Sequence, residues 1–502
     1  LNANGGGDIE IKDSSILKTS LESGQGRVAL WGGNISIVNS TLRADSYGNV
    51  DELPEQGISI YSASLSVDSS TIHTESHCSG KAGALALTST GNMDIVNGSS
   101  ISTATSGGGD AGDLSIQAGN ITLEGSATGQ PSIASVALPG SSGHAGSINV
   151  LASNDIEILT NYANFANAQA SINAPPKIAG ASIASSSFGS GDTGNVNVKA
   201  NNLLIDGFGL VYPSGIYATA YSPSTGKAGN VSVETAGDLK LFNNGEISSS
   251  TYGPGSAGDV TVKAGNIQID GKASKYADIS SETNDGTGNA GSVKVEASGL
   301  ISLSNGGLIS SSSFSQGDAG NVSVKANSLL IDGLGLQSFQ EQLANFILTG
   351  IFAAALPGST GKAGSVSVET VGDLKILNAG FISSATWGPG MAGDVNVQAG
   401  NIQIDGRGSP YQTGISSAAF PLSGGQSGNI TVNASGFINI VNGGNISIEN
   451  QGIAANPVST MPGSLSVSAP NITLRDSIIT SQSTQNVDAS PIQIHFTHSL
   501  SL

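Results

Sequence analysis

Between Gly229 and Ser250 the chain alternates apolar and polar residues in short runs. Val231 and Val233 bracket Ser232, and Leu239 and Leu241 bracket Lys240. A period of 2 is the signature of half-buried β-strands. It predicts three strands in this stretch, Asn230–Glu234, Asp238–Phe242 and Glu246–Ser250. The joints carry turn residues: Ala236-Gly237-Asp238, Asn243-Asn244-Gly245 and Gly253-Pro254-Gly255. No 3.6-residue periodicity is sustained, which disfavours leucine-rich and helical repeats.

The same unit returns along the chain. A glycine followed by a polar residue and an alternating apolar run stands at Gly112, Gly229, Gly258, Gly291, Gly320, Gly364, Gly393, Gly428 and Gly463. Weaker copies stand at Gly26, Gly57, Gly83, Gly146 and Gly194. From Gly83 onward the shortest step is 29 residues and occurs four times, so longer steps are the same unit with insertions. Residues 228–276 match residues 363–411 at 35 of 49 positions, the mark of a duplicated block. Three strands per turn at a fixed period predict an all-β fold: a single-stranded, right-handed parallel β-helix of about 14 coils. It is expected to run continuously over residues 1–502, with loop insertions near 161–180 and 334–349. A row of β-sandwiches also has short strands and glycine turns, but does not account for the 29-residue period.

Composition narrows the function. Charged residues are 11% of the chain and the net charge is −19, which argues against nucleic acid and against anionic lipid as partners. A single cysteine, Cys78, excludes a disulfide framework and a cysteine-rich metal site. No apolar run approaches the ~18 residues of a transmembrane segment. The chain begins at Leu1 and is read as a fragment or mature piece without its N-terminal targeting segment.

Two phrases carry a family resemblance: Ala257-Gly258-Asp259-Val260-Thr261-Val262-Lys263-Ala264-Gly265-Asn266-Ile267 and Asn305-Gly306-Gly307-Leu308-Ile309-Ser310. They resemble the repeat region of filamentous-haemagglutinin-type exoproteins, above all the large cyanobacterial members, and the likeness runs from about Gly7 to Ser481. The resemblance implies two-partner secretion through an outer-membrane pore. It implies a secreted or cell-surface β-helical adhesin, associated with the outer membrane. Its partner would be a host or neighbouring-cell surface, with carbohydrate as one ligand class. The family's N-terminal secretion domain is not visible here, so the export route rests on the resemblance alone.

Candidate chemistry is sparse. Gly253–Gly258 and Gly388–Gly393 fit G-x-G-x-x-G, but a strand follows each where a dinucleotide site needs a helix. Gly226-Lys227-Ala228-Gly229 and Gly361-Lys362-Ala363-Gly364 lack the hydroxyl residue of a P-loop. Asp206, Asp270, Asp332 and Asp405 share an Ile-Asp-Gly turn, and Asp113, Asp259 and Asp394 each follow an anchor glycine. They are read as turn residues of the repeat, with weak cation binding as a lesser alternative, and no concentration of Asp, Arg and His is expected. His73, Glu75 and His77 alternate beside Cys78 and form the one metal-like cluster, read as solvated surface. The serine-rich third strands, such as Ile183–Ser187 and Ile247–Thr251, are expected to stack into an outward hydroxyl wall. The insertions fall between the second and third strands, where loops with Tyr162, Phe165, Tyr212, Phe339 and Phe346 would form a binding edge. No catalytic, cofactor-binding or metal-binding residue is assigned, and no cofactor is expected. The function expected is a non-catalytic adhesin or structural fibre acting through many weak contacts. The alternative is a polysaccharide lyase or glycoside hydrolase on the same fold, since fold does not decide activity.

Overall fold

The computed structural model describes residues 6–21, 27–126, 129, 131–160, 180–207, 213–272, 276–333, 348–407, 409, 411–421, 423–451, 463–484 and 488–502. Apart from a three-residue 3-10 turn at Pro54–Gln56, its elements are all β-strands. The chain forms two compact units, Leu1–Gly258 and Asp259–Leu502. Each unit is a parallel β-solenoid with three strands per coil, the β-helix expected from the sequence.

In the first unit, third strands stack in register from Ser15–Ser20 to Gly245–Thr251, each pairing in parallel with the equivalent strand of the next coil. In the second, the same wall runs from Ala277–Thr283 to Ile478–Ser483. The strands Val231–Thr235 and Asp238–Phe242 lie where the alternation placed them, within a residue. Val231, Leu239 and Val260 are buried, as are Ile247 and Ile382 on the third strands. Each unit therefore holds an apolar column fed by all three walls, and burial of these side chains is the main driving force for the coil.

Two glycine columns shape the corner between the third strand and the next first strand. Along the anchor column, a Cβ on Gly229 would stand 2.2 Å from the Gly194 carbonyl oxygen, and one on Gly364 1.9 Å from that of Gly320. The second column, three residues earlier, behaves alike: a Cβ on Gly226 would stand 2.1 Å from the Gly191 oxygen. Coils stack too closely here for any side chain. This spacing is what produces the nucleotide-like glycine patterns of the sequence.

The turn from second to third strand uses left-handed residues. Asn243 and Asn244 have φ of 49° and 68°, and Asn305 and Gly306 of 49° and 85°. Asparagine tolerates this region better than other residues with a Cβ. Its side chain also ties coils together: Asn243 Nδ2 donates to Asp206 at 2.9 Å and Asn305 Nδ2 to Asp270 at 2.8 Å. The anchor-following acids do the same with backbone. Asp113, Asp259 and Asp394 accept the amide N–H of Ser147, Ser292 and Asn429 at 2.9, 2.7 and 2.7 Å. The repeated aspartates are structural turn residues, as their periodic recurrence suggested.

The serine-rich wall departs from expectation. Ser249, Ser311 and Ser384 point inward and are buried. Each bridges two coils at the anchor corner. Ser249 Oγ donates to the Gly229 carbonyl at 2.9 Å and accepts the Gly258 N–H at 2.8 Å. Ser384 repeats this with Gly364 and Gly393 at 2.8 and 2.7 Å. These hydroxyls satisfy backbone groups that the glycine corner would otherwise bury unpaired. Half of the serine wall is thus interior glue and is not an outward hydroxyl face.

Candidate functional site

The outward positions of the third wall in the second unit form three register rows. One row reads Glu282, Ser312, Ala354, Ala385, Ala418 and Glu449. It begins and ends in a carboxylate and is small in between. The neighbouring row carries Ser310, Phe352, Ser383 and Ser416, and the next carries Leu308, Gly350, Phe381 and Gly414. Aromatic residues therefore replace small ones in the middle of the wall, while the inward row of isoleucines is unbroken.

A further column stands just past the third strand. Phe314, Leu356, Trp387 and Phe420 each donate their backbone N–H to the preceding coil, to Thr283, Ser313, Ala355 and Thr386. The Trp387 and Phe420 rings stack at 4.3 Å, and Phe352 and Phe381 stack at 5.9 Å. On the opposite side, Tyr276, Leu348 and Tyr411 stand where the chain enters the third strand. Between these two edges lies a recess of about 750 Å³, a volume in the range of ligand sites. Leu308, Phe352, Ala354 and Leu356 form its apolar floor. Its polar groups include Glu282, Ser310, Ser312, the Ser383–Ser416 hydroxyl pair at 2.9 Å, Gln412 and Asn445. Gln412 also donates to Glu449 at 3.0 Å, and Ser447 and Gln451 donate to the same carboxylate. Among the described residues lining the recess there is no lysine or arginine.

Apart from Leu348 in the second insertion and the serines of the third strands, these residues were not singled out from the sequence. The usable signal is a single aromatic between the serine run and the glycine corner, as in Ser313-Phe314-Ser315 and Thr386-Trp387-Gly388. The first unit shows it too, where Phe188, Tyr221 and Tyr252 stack at 4.8 and 5.7 Å. Of the expected loop edge, residues 161–179 and 334–347 and Tyr212 lie outside the described residues, and with them Tyr162, Phe165, Phe339 and Phe346. Leu348, at the end of the second insertion, lines the recess.

The His73–His77 stretch is more than solvated surface. The register sets Arg43 beside His73 and Asp45 beside Glu75. Arg43 pairs with Asp45, and its Nη2 reaches Glu75 at 2.9 Å. His73 bonds Ser102 at 2.9 Å and Glu75 at 3.2 Å. His77 lies 3.4 Å from Glu75, bonds Ser106 at 3.0 Å and stacks on Tyr47 at 4.1 Å. This is a concentration of Arg, Asp, Glu and His, which the sequence reading did not anticipate. Burial pushes the Asp45 carboxyl up despite the Arg43 charge. Burial also opposes ionisation of Glu75, but hydrogen bonds from His73 and Ser106 and the charge of His77 outweigh it, and Glu75 titrates at about 2. Both ring nitrogens of His73 and the Nδ1 of His77 are engaged by Ser102, Glu75 and Ser106, while His77 Nε2 is buried without a hydrogen-bond partner. Among the described residues no group of three such side chains is arranged to hold a metal ion. Among the described residues no helix is long and apolar enough to cross a membrane.

Comparison with known proteins adds no name to this geometry: no protein-family model matches the chain, and no curated protein matches it.

Proposed function

We propose that the protein is a non-catalytic contact protein, an exported adhesin or structural fibre of the cell surface, and that the recess of the second unit is where it holds its partner. The observation that supports this reading is the selective change of the outer wall. In two outward rows an aromatic stands among smaller residues, Phe352 between Ser310 and Ser383 and Phe381 between Gly350 and Gly414, while the inward isoleucine row is unbroken. Aromatic side chains added on the outer side of a constant apolar row suit contact. The resemblance to filamentous-haemagglutinin-type exoproteins agrees with this reading and supplies the export route, two-partner secretion across the outer membrane. Many weak contacts along repeated coils would add to the grip of the recess. Beads coated with the full chain should adhere to cells of the producing or a neighbouring organism, and Ala385→Trp, which fills the recess from its floor, should reduce adhesion severalfold. Equal adhesion by both proteins would remove the recess from the contact surface.

A second reading has its own observation. Asp45 and Glu75 are adjacent carboxylates whose ionisation is pushed in opposite directions, the division of labour an acid–base pair requires. Polysaccharide cleavage at this network would generate reducing ends or unsaturated products, and Asp45→Asn would abolish them. A polysaccharide panel that gives no product with the unaltered chain discards this reading.

A further inference from the structure

The first strands of the second unit make a wall with two outward rows. One row alternates in sign at every coil. Lys263, Glu296, Lys325 and Glu369 stand in register, each about 4.8 Å from the next. The row then turns neutral, with Gln398, Asn433 and Ser468. The other row holds Thr261, Lys294, Ser323 and Ser367 over the same coils. Stacking does not require the alternation: coils pair equally through the neutral part of the row. In the duplicated block, Gln398 stands where Lys263 does. Exposed ion pairs also add little to stability.

The order base, acid, base, acid has a symmetry. Turned end for end, it reads acid, base, acid, base. We propose that this wall pairs with the same wall of a second copy of the chain, antiparallel, about a two-fold axis passing between Glu296 and Lys325. Lys263 then faces the partner's Glu369, and Glu296 faces the partner's Lys325. Each contact occurs twice, as a two-fold interface requires. Lys294 faces the partner's Ser323, so no like charges meet. A parallel two-fold pairing would set each charge against its own copy.

Charge singles out this partner. The chain carries a net −19, so two copies repel over most of their surface. This stretch of wall sets Lys263, Lys294 and Lys325 against Glu296 and Glu369 and escapes that repulsion. Its charges are paired within the chain: Lys263 with Glu296 at 3.8 Å, Lys294 with Glu296 at 2.7 Å and Lys325 with Glu369 at 2.6 Å. They still have room for a second partner. Lys263, Lys325 and Glu369 stay about half exposed, and an ammonium or a carboxylate accommodates several hydrogen bonds. Facing rows would join these pairs into one network. The hydrogen bond from Lys294 holds the Glu296 carboxyl low, and Glu369 holds the Lys325 ammonium up, so both are charged at neutral pH. The paired coils cover about 300 Å² on each copy, less than a stable complex buries. The pairing is therefore weak in free solution and gains weight where copies crowd together.

Sedimentation equilibrium of the full chain, carried into the high micromolar range at low and high salt, tests the pairing. The parent should show a monomer–dimer equilibrium that weakens severalfold at high salt. Two double variants keep both the composition and the net charge of −19. Lys263→Glu with Glu369→Lys gives the order acid, acid, base, base, which still meets its opposite on reversal. It should associate as the parent does. Lys325→Glu with Glu369→Lys gives base, acid, acid, base, which meets itself. It should associate about tenfold or more weakly. Damage within the chain would rank them the other way, because the first variant keeps one opposite-charge step along its own row and the second keeps two. Circular dichroism should match the parent in both. A parent that stays monomeric at every concentration, a dimer indifferent to salt, equal association by the two variants, or loss in the first alone would each overturn the proposal.

Discussion

Ser384 stands where two glycine corners meet, and its hydroxyl serves both a carbonyl and an N–H. Removing it leaves the Gly364 carbonyl and the Gly393 amide buried without it. Ser384→Ala should therefore cost about 1–3 kcal/mol, with hydrogen exchange accelerated at Gly393 before distant amides. A second residue-scale expectation concerns pH. The Glu75 carboxyl is depressed from 4.5 to about 2, so its pairing supports the fold fully above its ordinary range and is lost as pH falls toward that lower value. Glu75→Gln should weaken the first unit at neutral pH by on the order of 3 kcal/mol, and the difference should vanish on strong acidification. Asp45 is displaced upward, so its contribution is complete below its ordinary range and fades as pH rises through the raised value. Asp45→Asn should thus gain on the parent chain as pH rises. Denaturant titrations across a pH series read both effects. Opposite slopes for the two variants are the expected outcome, and parallel slopes would contradict it.

Among the elements, the first and second strands were legible in the sequence and the third was only half so. Where Val231, Ser232 and Val233 alternate, the apolar members declare the inner face. In Ile382-Ser383-Ser384-Ala385-Thr386 only Ile382 does, because serine serves on both faces, in the core at Ser384 and in the recess at Ser383. The charged network was hidden for another reason. Arg43 and Asp45 lie a full coil before His73 and Glu75, and only the strand register brings them together. The column of Phe314, Leu356, Trp387 and Phe420 was visible as one bulky apolar residue per coil but took its meaning from stacking across coils. Core truncation should respect the same nearest-neighbour logic. Leu239 is fully buried, and Leu239→Ala should cost about 2–5 kcal/mol. The loss of exchange protection should centre on the coils around Leu203 and Leu239, since coils contact only their neighbours. A uniform loss throughout the first unit would argue for stronger coupling than stacking provides.

At the scale of the whole molecule, the duplicated block separates scaffold from surface. Ile247, Ser249 and Thr251 correspond to Ile382, Ser384 and Thr386, identical inner residues in the two copies. The outer residues diverge: Glu246 became Phe381, or the reverse, and Ser250 and Tyr252 stand against Ala385 and Trp387. Returning the second copy to the first by Phe381→Glu, Ala385→Ser and Trp387→Tyr should leave the melting temperature within a few degrees, because the inner rows are untouched. It should also abolish contact through the recess. Adhesion retained by this triple variant, with the fold intact, would show that the outer differences are incidental.

The row from Glu282 to Glu449 has one more consequence. Its two carboxylates are separated by a whole number of coils, so the distance between them is quantised. Adding or deleting one coil between them changes it by a single strand spacing, about 4.8 Å, and by nothing in between. If the recess holds a partner as proposed, its length would be read against a ruler whose graduations are backbone hydrogen bonds. A longer or shorter partner would then be met by a change in the count of repeats, with every individual side chain left as it was.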